Sequence, residues 1–127
     1  HNENQKRLKQ TPLSMLCTST HDTKRGEDAR ARLNVLSEIP SLWREKVREW
    51  TRITNPARTA IGQSHAPDPS DEYLYYQALL AAWPPTDAEA SPEFVDRLRR
   101  YMNKATKEKK VNTSWITPSA AYDAAVA

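Results

Sequence analysis

The chain has 127 residues, 38% of them hydrophobic, and its 19 basic side chains outnumber 16 acidic ones. This length and composition allow one domain with a modest core. The single cysteine, Cys17, excludes an internal disulfide and fits a reducing compartment. The longest apolar run, near residues 78–83, is too short to cross a bilayer, and no secretory signal pattern opens the sequence. We therefore expect a soluble, cytoplasmic protein without a membrane partner.

The net charge of +3 and the isoelectric point near 9.1 would suit an anionic partner. Acidic and basic residues are mixed along most of the chain, as on a solvated helix surface. The exception is the stretch 97–110, which holds seven basic residues. No aromatic interleaving or nucleic-acid-reading motif accompanies them. We therefore expect no nucleic-acid partner, and a basic helical interaction or nucleic-acid-binding domain remains the alternative function.

The first predicted element is extended. Leu13, Met15 and Cys17 fall on alternate residues, and this period of two is typical of a strand. No other stretch of the sequence offers a strand to pair with it. We expect one orphan extended segment, displaced or irregular because a lone strand is not stable.

Five helices are predicted after this segment, because apolar residues recur at helical spacing and the ends carry start and stop signals. The third has an Asp N-cap at Asp68 followed by Pro69, and the fourth begins at Ser91-Pro92 in the same way. Residues 54–70 form an irregular loop. The helices are expected at about 27–39, 41–53, 69–83, 92–110 and from Thr117-Pro118 to the end. The fold class is therefore all-α, an approximately five-helix bundle with one orphan extended segment.

Aromatic side chains at helical positions are expected to form the core of this bundle. Trp115 is also expected in the core rather than as a platform for a sugar ring. The three tyrosines between 73 and 76 are expected to pack between helices rather than to line a glucan groove. The expected central residues are Trp43, Trp50, Trp83, Phe94 and Tyr101.

The His21-Asp22 step is the main candidate for chemistry, and the residues alone leave several interpretations open. A metal site of the kind found in helical phosphohydrolases with a His-Asp motif needs more ligands, and the other histidines lie at position 1 and in the loop 54–70. Nucleophilic catalysis by Cys17 needs an activating base. Asp22 or Thr23 would otherwise cap the next helix. Against this, a His-Asp step after a strand pattern is where (β/α)8 enzymes carry catalytic groups.

The stretch TSTHDTKRGEDARARLNVLSEIP, residues 18–40, closely resembles the segment of maltooligosyltrehalose synthase that carries the fourth signature region of the α-amylase family. DEYLYYQALLAAWP, FVDRLRRYMNKATKEKKVNTSWITP and AYDAAV resemble the stretches that follow it, in the same order. The similarity is weakest over residues 1–10 and 52–66. THDTKRGEDARAR followed far downstream by TSWITP is a specific combination, so the chain is identified as similar to this family along most of its length.

The resemblance implies a function. Members of the family are (β/α)8 enzymes that convert the reducing-end α-1,4 bond of a maltooligosaccharide into an α,α-1,1 bond, through a covalent glycosyl-enzyme intermediate. Asp22 matches the carboxylate that binds sugar hydroxyls and stabilises the transition state. His21 matches the histidine that binds the same sugar. Lys24 and Arg25 match the basic pair beside them, whose contact with the substrate is an expectation set against a merely solvated pair. The substrate is a maltooligosaccharide, and no cofactor or metal is expected.

The resemblance also implies an incomplete enzyme. The nucleophile and the acid/base carboxylate come from earlier strands in the family, and no stretch here resembles those regions. Glu27 and Asp28 match the surface-forming start of the next helix instead. We expect residues 1–22 to be a barrel-derived segment ending in the His-Asp motif and residues 23–127 to be a helical insertion domain. The chain starts with His and stops within a helical pattern, so we expect a piece of a longer protein that is inactive alone.

Three function classes remain open at this point. An enzyme segment predicts an inert chain with at most weak binding of maltooligosaccharides. A glucan-binding module predicts measurable affinity from aromatic platforms. An interaction domain predicts a partner for the basic residues at the end of the stretch 97–110, and its affinity would fall with salt.

Overall fold

A computed structural model describes residues 1–85 and 89–127 of the chain. Within these residues it has six α-helices and one two-stranded antiparallel sheet. The mostly helical fold class is therefore confirmed. Three short 3-10 turns join the helices, at His21–Thr23, Val35–Ser37 and Asn55–Ala57. The helices are α1 Asn2–Gln10, α2 Glu27–Asn34, α3 Pro40–Thr54, α4 Pro69–Ala82, α5 Pro92–Lys109 and α6 Ala120–Val126, and the strands are β1 Thr59–Ile61 and β2 Ser64–Ala66.

Capping residues start α4 and α5, as predicted. The Asp68 carboxylate accepts a hydrogen bond from the backbone N–H of Asp71 at 2.7 Å. The Ser91 hydroxyl accepts one from the N–H of Phe94 at 3.2 Å. Each helix then begins at a proline, whose fixed φ suits the first helical position and whose missing N–H costs nothing there. These local signals fix where the two central helices begin.

The core lies where α4 meets α5. Ala78, Phe94 and Leu98 are buried together there, and Trp83 packs its ring edge-on against Phe94 at a centroid distance of 5.5 Å. Around this contact, α2 and α3 also pack on α4, while α6 packs on α5 and on the hairpin β1–β2. Because α4 is rich in alanine and apolar on most sides, it can contact three helices closely.

The aromatic core prediction is partly wrong. Phe94 is buried, but Trp43, Trp50, Trp83 and Tyr101 are only half-buried at the edges of the helix contacts. Small residues such as Ala78 and Ala81, together with Leu98 and Met102, fill the centre instead. The half-buried rings cover the sides of these helix contacts.

Two further aromatic predictions have different outcomes. Trp115, expected in the core, is 60% exposed, and the Lys107 ammonium lies 4.8 Å from its ring centroid. Among the three tyrosines, Tyr76 is buried and Tyr75 is half-buried, while Tyr73 is exposed and accepts a hydrogen bond from the Trp43 indole at 3.0 Å. The helix-packing expectation therefore holds for Tyr75 and Tyr76.

The segment predicted to be extended also differs from its prediction. Residues 11–20 contain no strand. Leu13 and Met15 are almost fully exposed, and Leu16 is 75% exposed. The alternation of the sequence therefore does not form a strand, because no neighbouring strand offers backbone hydrogen bonds. The irregular course expected for an unpaired segment is what the structure has.

Three elements differ from the helix and loop predictions. The helix α1 at Asn2–Gln10 was not predicted, because its residues show almost no apolar stripe. The hairpin within the predicted loop was also missed; its strands have three residues each, and Gly62 supplies the positive φ of 60° that its two-residue turn requires. The last helix begins at Ala120 after a Ser119 cap, not at Thr117-Pro118.

Among the described residues, no helix combines the length and the apolar composition that a bilayer crossing requires.

Replacement of Leu98 by Ala should lower the free energy of unfolding by about 2–4 kcal/mol, because it opens a cavity between α4 and α5. Chemical denaturation followed by circular dichroism measures this change. Val95→Ala on the same helix is the control, since Val95 is 37% exposed and its truncation should cost less than about 1 kcal/mol. Equal losses for the two variants would contradict this position of the core.

Candidate functional site

The His-Asp step lies in a 3-10 turn that two threonines hold from either end. The Thr20 hydroxyl accepts a hydrogen bond from the backbone N–H of Asp22 at 3.2 Å. The Thr23 hydroxyl donates to the Thr20 carbonyl at 2.8 Å and accepts from the Thr20 N–H at 3.4 Å. This reciprocal capping fixes the backbone of His21 and Asp22 without using their side chains.

The capping interpretation of Asp22 and Thr23 is therefore wrong in its details. The next helix, α2, begins at Glu27 after Gly26, and no side chain caps it. Thr23 caps the 3-10 turn that precedes the helix, together with Thr20. The carboxylate of Asp22 remains available for another role.

The approach to the turn is tied to α2. The Thr18 hydroxyl donates to the Glu27 carboxylate, and the Arg30 guanidinium donates to the Thr18 carbonyl. Glu27 and Asp28 both lie exposed in the first turn of α2, as expected. Glu27 thus has a structural partner, and Cys17 lies exposed in the irregular segment rather than in a strand.

The two basic residues after the turn are held by helices that come much later in the chain. Lys24 has a left-handed backbone with φ of 62°, and its Nζ lies 3.5 Å from Glu108 Oε2 on α5. The Arg25 guanidinium donates to Gln77 Oε1 on α4 at 3.2 Å. Lys24 and Arg25 stand at one edge of a cavity of about 240 Å³, whose floor is mostly apolar and includes Phe94.

The side chains of His21 and Asp22 point to solvent. Both residues are exposed, and within residues 1–85 and 89–127 neither side chain makes a hydrogen bond or an ion pair. The four predicted site residues therefore lie in one turn, but only Lys24 and Arg25 border the cavity. The turn presents an imidazole and a carboxylate that are free to bind a ligand, next to two cations whose positions are fixed.

A metal site at this turn would need ligands beyond His21 and Asp22. No group of three or more His, Cys, Asp and Glu side chains that could hold a metal ion occurs in the part of the chain that the structure describes. His65, one of the two other histidines, lies exposed in β2.

A buried polar network, which the sequence did not indicate, joins α4, α5 and α6. Asp71 on α4 is 1% exposed; its carboxylate accepts from the Tyr122 hydroxyl at 2.5 Å and from Lys109 Nζ at 2.7 Å. Asn112 donates to Asp68 at 2.6 Å and to the Tyr122 oxygen at 3.0 Å. A carboxylate at the start of a helix is usually exposed, so no local signal predicted this burial.

Two pKa shifts follow from the network. Burial and the hydrogen bond that Tyr122 donates to Asp71 raise the pKa of the Tyr122 hydroxyl well above its ordinary value. Partial burial acts to raise the pKa of Asp68, but hydrogen bonds from the Asp71 N–H and the Asn112 amide, with the charge of Lys109, outweigh it. The pKa of Asp68 is therefore lowered.

A second buried carboxylate, Glu72, is hydrogen-bonded by hydroxyl groups. The hydroxyls of Thr54 and Tyr76 each lie 2.7 Å from Glu72 Oε1. Burial is the main cause that raises the pKa of Tyr76, and the hydrogen bond to Glu72 adds to it. This contact joins the end of α3 to α4.

Internal ion pairs involve much of the basic stretch 97–110. Lys107 pairs with Asp123 on α6 at 3.4 Å, and Lys109 pairs with Asp71. Lys104 approaches Glu108 at 3.8 Å, and Arg100 approaches Asp96 at 2.7 Å. Lys107 and Lys109 join helices, whereas Lys104 and Arg100 pair within α5. The stretch therefore offers less free charge to an anionic partner than the sequence suggests.

Replacement of Tyr122 by Phe should lower the free energy of unfolding at pH 7 by about 1–3 kcal/mol, because the buried Asp71 carboxylate loses a hydrogen-bond donor. The pKa of Tyr122 is raised in the folded state, so its contribution is fully present below the unfolded pKa of about 10 and is lost as the pH rises above it. The difference between the parent and the variant should therefore shrink above pH 10.

Urea denaturation at several pH values measures this dependence. Tyr101→Phe is the control, since Tyr101 is half-buried and no hydrogen bond of its hydroxyl occurs within the described residues. A constant difference between the parent and Tyr122→Phe from pH 7 to pH 11 would contradict the argument.

Comparison with known proteins gives a consistent result. No protein-family model matches the chain. Two proteins from different strains of Mycobacterium tuberculosis, each described as a putative maltooligosyl trehalose synthase, are 36% identical to it over 123 residues. That match covers 97% of this chain, and the chain spans about 15% of the length of these relatives.

A solved structure agrees with the sequence comparison. A crystal structure of maltooligosyl trehalose synthase superposes on this chain with a TM-score of 0.69 at 38% identity. The superposition covers 87% of this chain and 14% of the solved chain. The predicted resemblance is therefore confirmed: along nearly its whole length, this chain is similar to one segment of maltooligosyl trehalose synthase.

Proposed function

We propose that this chain is a segment of an enzyme that converts the reducing-end α-1,4 bond of a maltooligosaccharide into an α,α-1,1 bond, an intramolecular glucosylmutase of trehalose biosynthesis. The observation that carries this proposal is the 36% identity to putative maltooligosyl trehalose synthases over 97% of the chain. The solved structure of that enzyme supports it at the level of the backbone, with a TM-score of 0.69.

Asp22 is the residue of the chain that takes part in the chemistry. Breaking a glycosidic bond develops positive charge at the anomeric carbon, and a carboxylate near the sugar stabilises this oxocarbenium-like centre. The exposed carboxylate of Asp22, on a backbone held by Thr20 and Thr23, suits this role because no cation among the described residues pairs with it. His21 holds a hydroxyl of the same sugar unit.

Lys24 and Arg25 bind the substrate beside His21 and Asp22. Both are cationic donors, and sugar hydroxyls are good acceptors for them. The chain cannot carry out the reaction alone, because a retaining mechanism needs a nucleophile and an acid/base carboxylate about 5–5.5 Å apart. We assign both groups to parts of the longer enzyme that this chain does not include.

We also propose that residues 1–22 belong with the barrel of the longer enzyme and that residues 23–127 form its helical insertion. The exposure of every residue from 1 to 20 supports this division, since a segment with so little contact to the helices has its partners elsewhere. The exposed Leu13, Met15 and Leu16 would be buried by such partners.

A chimeric enzyme tests the role of Asp22. In it, the matched residues of a Mycobacterium tuberculosis relative are replaced by this chain, and conversion of maltopentaose is followed by the loss of reducing ends. We expect an active chimera, and Asp22→Asn should lower kcat by about 10²- to 10³-fold, as loss of a group that stabilises transition-state charge does.

Asp28→Asn is the matched control, because Asp28 is an exposed carboxylate in the first turn of α2, away from the 3-10 turn. Its kcat should stay within about twofold of the parent chimera. Equal activity of the Asp22→Asn and Asp28→Asn variants would overturn the proposed role of Asp22. A chimera that folds, judged by its thermal melt, but converts no sugar would overturn the proposed function.

The isolated chain gives an independent test. We expect it to form no trehalose-ended product from maltopentaose, because two of the required carboxylates are missing. In a titration of the 15N-labelled chain with millimolar maltopentaose, chemical-shift changes should be confined to residues 21–25. Shifts centred on the indole of Trp115 instead would favour a separate glucan-binding platform, and product formation would show that the chain holds a complete active site.

A further inference from the structure

We propose that Gln77 on α4 and Glu108 on α5 are positioning residues for the substrate, acting through Arg25 and Lys24. The inference rests on the proposed function, since it assigns a role to the helices in binding the same maltooligosaccharide. Neither residue has to contact the sugar for this role. Each holds a basic side chain beside His21 and Asp22, so the two helices determine where the cationic edge of the site lies.

The contact of Arg25 shows how this works. Its guanidinium donates to Gln77 Oε1 at 3.2 Å, a partly buried hydrogen bond between residues 52 positions apart in the chain. Both residues are half-buried, so the contact is shielded from water more than a surface pair would be. A guanidinium has five N–H donors in a fixed plane. One bond to Gln77 orients that plane and leaves other donors for hydroxyl groups of a ligand.

The partner of Arg25 is a neutral amide, and this affects the charge that Arg25 keeps. A carboxylate at position 77 would orient Arg25 but would also neutralise its charge. The neutral amide of Gln77 fixes the guanidinium and leaves its positive charge intact. An Arg held by a neutral acceptor is suited to a ligand rather than to a structural ion pair.

The partner of Lys24 is a carboxylate, that of Glu108. Glu108 Oε2 lies 3.5 Å from Lys24 Nζ, while Glu108 Oε1 lies 3.8 Å from Lys104 Nζ. One carboxylate is thus shared between two ammonium groups, so the charge of Lys24 is only partly offset. The side chain of Lys24 remains 54% exposed. It is therefore directed by Glu108 and still accessible to a ligand.

The backbone of Lys24 makes this contact possible. Lys24 has φ of 62°, in the left-handed region that a residue with a side chain seldom adopts. This conformation ends the 3-10 turn and reverses the chain before α2. The consecutive residues Lys24 and Arg25 consequently reach different helices, α5 and α4. A single turn of the chain is held against both helices at once.

Kinetics of the chimeric enzyme with maltopentaose test the proposal. Gln77→Leu should raise KM by about tenfold, the cost of losing a hydrogen bond to a charged group. Glu108→Gln should raise KM by about threefold to fivefold, because an exposed ion pair contributes less. In both variants kcat should stay within about twofold, since these contacts bind the substrate and the transition state alike.

Two further variants separate positioning from general stability. Gln77→Glu keeps an acceptor that orients Arg25 but offsets its charge, so its KM should lie between those of the parent and of Gln77→Leu. Combination of Lys24→Met with Glu108→Gln should raise KM no more than Lys24→Met alone, because Glu108 acts through Lys24. A merely structural role predicts the opposite: less folded enzyme, a lower apparent kcat and an unchanged KM.

Matched controls are available in the same chain. Gln63 in the hairpin turn and Glu45 on α3 are exposed residues of the same types. Gln63→Leu and Glu45→Gln should leave KM unchanged. If the parent chimera folds but converts no maltopentaose, the proposed function itself fails. If Asp22→Asn is inactive while Gln77→Leu and Glu108→Gln keep the parent KM, only the positioning role fails.

The isolated chain allows a second measurement that does not depend on the chimera. The 15N heteronuclear NOE of the amides of Lys24 and Arg25 reports the order of this segment on the nanosecond scale. We expect it to fall in the Gln77→Leu, Glu108→Gln double variant while the values along α4 and α5 stay constant. Unchanged order at Lys24 and Arg25 would overturn the proposal.

Discussion

The buried carboxylate of Asp71 is the constraint on which the arrangement of the helices depends. A charge that is removed from water needs close partners of opposite sign or good donors, and the loss of one of them is strongly destabilising. Asp71 finds these partners in Lys109 at the end of α5 and Tyr122 on α6. Three helices must therefore be in place together before this carboxylate can be buried.

The burial of Asp71 also affects the His-Asp turn, because it sets the packing of α4 and α5. Asp71 and Lys109 fix how these two helices lie against each other, with Ala78, Phe94 and Leu98 packed between them. Gln77 and Glu108 project from the same two helices toward the turn. The position of the basic pair thus follows from a polar contact made elsewhere in the helical part of the chain.

Local sequence signals predicted the helix starts, because caps and prolines act within a few residues. Asp68 and Ser91 marked the beginnings of α4 and α5 correctly. The alternation of apolar residues over 13–18 wrongly predicted a strand, because a strand needs a neighbouring strand that lies elsewhere in the chain or outside it. The hairpin was missed because three-residue strands are too short to show a period, although Gly62 was a usable turn signal.

The candidate site was predictable only in part. His21, Asp22, Lys24 and Arg25 could be named because they lie within five residues and resemble a known motif. Their supports could not, because Gln77 and Glu108 lie far along the chain on helices whose surfaces look solvated. The same holds for Asp71, whose burial depends on Lys109 and Tyr122 meeting it in space.

The last turn of α5 carries two neighbouring residues with separate partners: Glu108 contacts the turn at Lys24, and Lys109 contacts Asp71. Since each residue of an α-helix advances the side-chain direction by about 100°, one inserted or deleted residue in α5 would turn both away from their partners. Both contacts therefore require α5 to keep its exact number of residues. Differences in length between proteins that share this segment are expected at exposed places such as the hairpin turn beside Gly62. An insertion there would leave the contacts between the helices unchanged.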